Sequence, residues 1–316
     1  MRRPPSSLHE SQPGFTLIEL LVVVAITGLL VALLLPAVQA VRESSRKVRC
    51  QNNLRQISVA AQNFESAFRF LPSNGWGFQW IADPSRGYGK HQPGGWIFHI
   101  AQFCELQLPT STSGDPVQDF DIRTQLSTTP FTLMSCPSRP GQPLSLASRT
   151  PSPINAAFRA MVPKTDYAAN EGDYMTGTLG GPNSLAEGDD PSYPWVSRKN
   201  ATGVVFQRSQ ISFGQITDGV SNTILCGEKY VSSDEYFTAN DLGHDQSLYS
   251  GVDLDLNRWT IEPPVRDSSE SAVTRFGSAH ASGAFMTMCD GSVRLVSYAI
   301  EPLAFQRLGN RHDGHE

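Results

Sequence analysis

Charge is scarce in this chain, and neither sign dominates it. Only 17% of its 316 residues are Asp, Glu, Lys or Arg, against roughly 25% in an ordinary soluble domain. Lys and Arg number 25, Asp and Glu 30, for a net charge of −5. A protein that coats nucleic acid needs a basic surface to meet phosphates, so a nucleic-acid partner is excluded. Cysteine is sparse as well, with five residues and no C-x-x-C pair, which leaves no dense disulfide scaffold and no zinc-ribbon or thioredoxin spacing. There is no G-x-S-x-G elbow, no H-E-x-x-H and no P-loop, so the sequence assigns no catalytic residue, no cofactor and no metal site, and the chain reads as a non-enzyme. The chain does have 39% hydrophobic and 9% aromatic residues, enough to rule out disorder over its length and to build a real core.

The apolar residues are concentrated at one end. Residues 15–35 read FTLIELLVVVAITGLLVALLL, broken only by Thr16, Glu19 and Thr27. A helix needs about 20 such residues to cross a bilayer. A core helix of this length would carry polar residues on one face. A secretory signal would place a shorter apolar region before its cleavage site; here the run follows the one plausible cut, at Gly14. Glu19 is costly inside hydrocarbon, by about 2.5–3.5 kcal/mol even on mild insertion scales. It either reaches the headgroups or needs a cation. Cleavage after Gly14 would make one, the new α-amine of Phe15 or that of a neighbouring subunit.

The stretch PGFTLIELLVVVAI resembles the type IV prepilin processing motif. That resemblance implies cutting after Gly14 by a prepilin peptidase, N-methylation of Phe15, and an assembly role for Glu19. Pro36 also falls where pilins carry a proline. Arg42, Arg46, Lys47 and Arg49, with Glu43 as the one acid among them, would be cytoplasmic by charge bias alone. The motif instead puts the leader in the cytoplasm and the remainder outside it.

Beyond the span, small or apolar residues recur at 34, 38, 41, 45 and 48, and again at 54, 57, 61, 64, 68 and 71. This is one helical stripe, out of register between Arg49 and Arg55. Leu71-Pro72 ends it, and Pro36 should kink it. The expected layout is a leader at 1–14, a transmembrane helix at 15–38, a helical stem at 39–72 and a β-rich head at 73–316. Strands are expected at Trp96–Ile100, Phe131–Cys136, Gly203–Phe206, Thr223–Cys226, Ala284–Cys289 and Val293–Tyr298. The fold class is α+β, a long N-terminal helix laid on an antiparallel sheet.

CQNNLRQISVAAQNFESAFRFLPSNGW, SCPSRPG, TDYAANEGDY, ISFGQITDGVSNTILCGEKY and FGSAHASGAFMTMCDGSVRLVSYAI follow one another in the head. Together they resemble a bacterial prepilin-like family, domain of unknown function 1559, whose C-terminal H-x9-D-G signature is matched by His280, Asp290 and Gly291. The tail LGNRHDGHE also resembles the family's ending, which implies a complete chain. The family implies an anchored, pilin-like protein and no head chemistry. It also places Cys50 and Cys136 in shared motifs, which suggests a disulfide between them; the alternative is that all five cysteines are buried thiols.

Further expectations concern single residues. Asp290-Gly291 lies between two β-prone runs and suits a two-residue type I′ turn, with Met286 facing Leu295 and Met288 facing Val293. That geometry separates His280 from Asp290, leaving His280 to hydrogen-bond a loop near the start of the hairpin. Asp253, Asp255 and Asn257 begin like an EF-hand, but Arg258 and Pro264 occupy its glycine and glutamate positions. A solvated acidic loop is expected there rather than a calcium loop. His312, Asp313, His315 and Glu316 are expected to fray, and most tryptophans to pack in the core.

Two roles fit these features. The first is a membrane-anchored structural subunit that associates with its own kind or with other pilin-like subunits in a pseudopilus or surface filament. The second is a singly anchored extracytoplasmic protein that binds a polysaccharide or protein ligand and uses the helix only for export and attachment. Membrane lipid and the peptidase are partners in both.

Overall fold

The computed structural model describes residues 17–109, 113–141, 143–148, 152–177, 180–195 and 200–314. The chain divides into two compact units, 1–45 and 46–316. Gly14, Phe15 and Thr16 lie outside the described residues.

Helix α1 covers Leu17–Phe68 and contains Pro36. In the first unit its apolar side chains are exposed throughout, from Leu17 to Val41. Thr27, the polar residue in mid-run, donates its hydroxyl to the Val23 carbonyl at 2.8 Å. The polar atom is thereby satisfied within the helix, as an apolar surrounding requires.

In the second unit α1 buries Cys50, Leu54, Ile57, Ala61 and Phe64, spaced 4, 3, 4 and 3. Val48, the last member of the earlier stripe, is exposed, and the buried stripe opens two positions later at Cys50, so the register changes beside Arg49. Asn53 points aside and donates to the Ser135 carbonyl at 3.0 Å and the Tyr167 hydroxyl at 3.2 Å.

After α1 come the short helix α2 (Trp96–Ala101), α3 (Pro116–Leu126), a two-stranded ladder of β1 (Ser145–Leu146) and β2 (Met161–Val162), β3 (Tyr167–Gly172), α4 (Leu185–Asp189), β4 (Ile224–Glu228) and β5 (Asn257–Trp259). Then follow β6 (Val265–Arg266), β7 (Gly277–Ser278), β8 (Ala284–Met288), β9 (Val293–Val296) and α5 (Pro302–Gly309). The main sheet has the order β5-β3-β4-β8-β9. All its neighbours are antiparallel except β3 and β5, which run parallel, so the sheet is mixed rather than purely antiparallel. The fold class is α+β.

The expected strands at 223–226, 284–289 and 293–298 correspond to β4, β8 and β9. Three others do not form. Residues 96–100 are helical, residues 132–134 make a 3-10 turn, and residues 203–205 bend, their N–H groups donating to the Asn170 and Glu171 carbonyls without forming a strand. The 96–101 segment WIFHIA is buried on every side, and an apolar run of that length carries no period to tell helix from strand. Strand β3, YAANEG, has little β propensity but is buried along its whole length. The ladders of β4 and β5 on its two sides hold it extended, so tertiary packing overrides propensity.

Trp76, Trp80, Trp96 and Trp259 are buried in the core. Phe64 stands edge-on to Phe70, Tyr88, His99 and Phe103. His99 is fully buried. Its Nδ1 donates to the Gly95 carbonyl at 2.9 Å, and its Nε2 accepts from the Gly89 N–H at 3.2 Å. The neutral ring is thus fixed in one tautomer, and burial pushes its pKa from 6.5 down to about 4. The unfolded chain binds a proton at the higher value, so this group's contribution is complete above about pH 6.5 and is lost as pH falls to about 4. Over that window the loss amounts to roughly 3 kcal/mol. His99→Gln, which has no such titration, is expected to lack this slope when chemical unfolding is followed against pH.

Candidate functional site

Of the processing residues, Glu19 is described and lies in the first turn of α1. A carboxylate is favoured there by the helix dipole.

The signature residues part company in space. β8 and β9 form the expected hairpin, but its register is Thr287 opposite Val293 and Met286 opposite Arg294, one residue off the type I′ register. The Met288 N–H donates to Ser292 O at 2.8 Å, and the Gly291 N–H to Met288 O at 3.0 Å. Gly291 has φ +88°. This is a three-residue turn, Cys289-Asp290-Gly291, with glycine in the left-handed position. The cause is tertiary. The N–H groups of Cys289 and Asp290 donate to the carbonyls of Thr223 and Val220, both at 2.9 Å, which draws Cys289 out of the strand into the turn. The slip re-aims β9, so Leu295 is 46% exposed while Val296 is buried. Asp290 accepts the Ser292 N–H at 2.8 Å and serves the turn.

His280 is held elsewhere, in the link between β7 and β8. Its N–H donates to Ser278 Oγ at 3.3 Å, and its carbonyl accepts from Tyr298 Oη at 2.7 Å. The ring enters a buried group with Cys50, Cys136 and Glu228, a meeting the sequence did not anticipate. One ligand atom from each of the four lies within 4.8 Å of the others. His280 Nε2 is 3.3 Å from Glu228 Oε1. Cys136 Sγ is 3.5 Å from Glu228 Oε1 and 3.9 Å from His280 Nε2. All four residues are at most 3% exposed.

Each arrives from a different segment. Cys50 comes from α1, Cys136 from the chain just after the 132–134 turn, Glu228 from the last position of β4 and His280 from the β7–β8 link. Glu228 Oε2 accepts the Phe285 N–H at 2.8 Å, which leaves Oε1 aimed into the group. The Cys136 N–H donates to Asp166 Oδ2 at 2.6 Å. Asp166 in turn pairs with Arg139 at 2.8 Å. The hydrogen bond to Cys50 and burial together push the Cys136 thiol far up. Burial, the two thiols and Glu228 do the same to the Tyr167 hydroxyl. The expected Cys50–Cys136 bridge is not formed, and all five cysteines are free thiols. The sequence expectation paired two sulfurs; the fold brings a carboxylate and an imidazole to the same point.

A second buried set gathers Asp245, Asp253 and Asp255. The expected solvated loop is therefore a buried one, with Asp253 and Asp255 both below 8% exposure. Lys229 and Lys164 are cations acting on this site; Lys229 is the one buried against Asp255. Lys229 Nζ donates to the carbonyls of Gly243 at 2.6 Å and Asp255 at 2.8 Å and lies 3.8 Å from Asp255 Oδ1. Burial raises Asp245 to about 8 and lowers Lys229 to about 8. The expected fraying of the C-terminus is not seen through Gly314. Asp218 accepts the N–H groups of Asp313 at 2.6 Å and Gly314 at 3.0 Å; His315 and Glu316 lie outside the described residues.

Sequence reasoning marked His280, Cys50 and Cys136 but missed Glu228. The signal was a lone carboxylate closing the strand ILCGE, since a buried Glu is rare unless something pairs with it.

Comparison with known proteins agrees with both ends of the chain. Residues 11–35 match the prokaryotic N-terminal methylation motif, and residues 39–303 match a protein family of unknown function, DUF1559. No curated protein and no solved structure matches. The apolar helix with its methylation motif supports a single-pass membrane anchor of the type IV pilin kind. With 39–303 covered by one family model, the chain belongs to the DUF1559 family and carries the N-terminal methylation motif ahead of it.

Proposed function

We propose that this protein is a prepilin-like structural subunit, cut after Gly14 by prepilin peptidase, methylated on Phe15, and assembled through its apolar helix into a pseudopilus or surface filament. The observation that carries this reading is the methylation motif over 11–35 leading directly into a helix whose apolar side chains, Leu17 to Val41, all stand exposed. Such a surface is stable only in lipid or against other helices of the same kind. In this reading residues 15–38 span the membrane, 39–72 form a stem, and 73–316 form an extracytoplasmic head while the leader stays cytoplasmic. The head acts as structure rather than as an enzyme, and its partners are prepilin peptidase and other pilin-like subunits, a reading that the methylation motif supports.

Intact-mass spectrometry of the native protein tests the processing. The mature chain is expected to begin at N-methylated Phe15, and any other start overturns the prepilin reading. Shearing cells and comparing the released filaments with the membranes tests the assembly. Recovery in the sheared fraction supports a subunit. Retention wholly in the membrane supports the singly anchored binding protein instead.

A further inference from the structure

We propose that Cys50, Cys136, Glu228 and His280 form a closed, four-ligand structural site for a zinc-class divalent cation, which fastens the Cys50 turn of α1 to the main sheet. The proposal concerns the head alone and stands whether or not the protein polymerises.

The donor set comes first. Two sulfurs, one imidazole nitrogen and one carboxylate oxygen are what a borderline-soft, tetrahedral ion takes. Two of the three edges agree, and the S···N edge is longer. With zinc at about 2.3 Å from sulfur and about 2.0–2.1 Å from nitrogen and oxygen, tetrahedral angles require edges of about 3.3 Å for N···O and about 3.5–3.6 Å for both S···O and S···N. The corresponding separations are 3.3, 3.5 and 3.9 Å. Four protein ligands leave no open position, which marks a structural site rather than a catalytic one.

The surroundings fit as well. Glu228 presents one oxygen while the Phe285 N–H holds the other, so its approach is monodentate and fixed. The Cys136 backbone is fixed by Asp166, and Asp166 by Arg139. Outer hydrogen bonds of this kind orient ligands in metal sites. Two thiolates and a carboxylate around a dication leave one net negative charge, and the Arg139 guanidinium lies one residue beyond, on Asp166. Without an ion, the four groups are joined by the His280–Glu228 pair and by thiol contacts of Cys136 with Glu228, His280 and Cys50, and thiols are weak hydrogen-bonding partners. A groove of about 540 Å³, bordered by Asn53, Gln56, Ser135 and Arg139, is also lined by one of the four, Cys136.

The four ligands lie 86, 92 and 52 residues apart along the chain. One ion would therefore close three long loops at a point where α1, β4 and the β7–β8 link meet. Its binding would be coupled to folding of the head.

The test uses the full mature chain in detergent, purified without chelators and analysed for bound metals by elemental mass spectrometry. About one zinc per chain is expected. A strong chelator is expected to remove it, to lower the thermal midpoint, and to expose Cys50 and Cys136 to a thiol reagent, with recovery when zinc is restored. Reconstituting the wild-type chain with Co2+ is expected to give the intense visible bands of tetrahedral cobalt with a thiolate charge-transfer band, a readout that needs no variant to fold. Glu228→Gln keeps the side-chain volume and the acceptor for Phe285, and is expected to weaken zinc binding by at least about tenfold. A chain with no bound metal and Cys50 bonded to Cys136 in peptide mapping overturns the proposal. So does a metal-free chain whose two thiols react at once and whose midpoint and Co2+ spectrum show no response.

Discussion

Glu19→Gln is expected to leave the chain in the membrane and remove it from the sheared filaments. The amide is cheaper than a carboxylate in hydrocarbon, so insertion should not suffer. What is lost is a negative charge in the first turn of an otherwise apolar helix. In lipid that charge is tolerable when a cation meets it, and the proposed cleavage after Gly14 would make one on every neighbouring subunit. In the low dielectric of the membrane such a pair outweighs any single apolar contact between helices, and it fixes how far one subunit sits along the next. The amide has no charge with which to hold that register. Quantitative immunoblots of the membrane and sheared fractions check the result. Loss of the sheared signal at constant membrane signal supports assembly through Glu19, whereas equal recovery of mutant and wild type favours simple anchoring.

Replacing Arg139 with Met is expected to cost the head about 3–5 kcal/mol, the usual cost of stripping one partner from a buried ion pair. Arg139 is buried and bridges two carboxylates. It meets Asp166 Oδ1 at 2.8 Å, Asp267 Oδ2 at 2.8 Å and Asp267 Oδ1 at 3.1 Å, and also donates to the Lys229 carbonyl. Met fills similar volume but leaves both carboxylates in the interior without their cation. Tyr236 Oη and the Val231 N–H still donate to Asp267, and the Cys136 N–H to Asp166, but none carries a compensating charge. The thermal midpoint of the detergent-solubilised chain is expected to fall by on the order of 10 °C. Adding Asp267→Asn to Arg139→Met is expected to restore part of the loss, because it removes one of the stranded charges. A double variant no more stable than the single one would show that Arg139 acts through packing alone.

These effects differ in how far they could be read from residues. Glu19 could be read without any fold, because both its cost and its setting lie within one contiguous run. Arg139 could not, because nothing near it in the chain announces Asp166 or Asp267. The hairpin at 284–296 lies between the two cases. Alternating residues and Asp290-Gly291 specify that it turns there and that glycine takes positive φ. The register then depended on Thr223 and Val220, two carbonyls from another segment that pull Cys289 into the turn. Likewise Trp96–Ala101 could be a strand or a helix by its side chains alone, and burial on all sides decided for helix.

By itself the sequence determined the anchor, the processing motif, the helical stripe through Leu54, Ile57, Ala61 and Phe64, and the positions of β4, β8 and β9. Each is a local pattern in which spacing alone dictates which side chains share a face. The tertiary structure decided that β3 is a strand, that the Asp253–Asn257 segment is buried around Lys229, and that His280 meets Cys50, Cys136 and Glu228 rather than Asp290. These depend on contacts between residues dozens of positions apart, and no periodicity records them. They become determined only when burying the core fixes which segments cross and leaves their polar groups to be satisfied by whatever lies opposite.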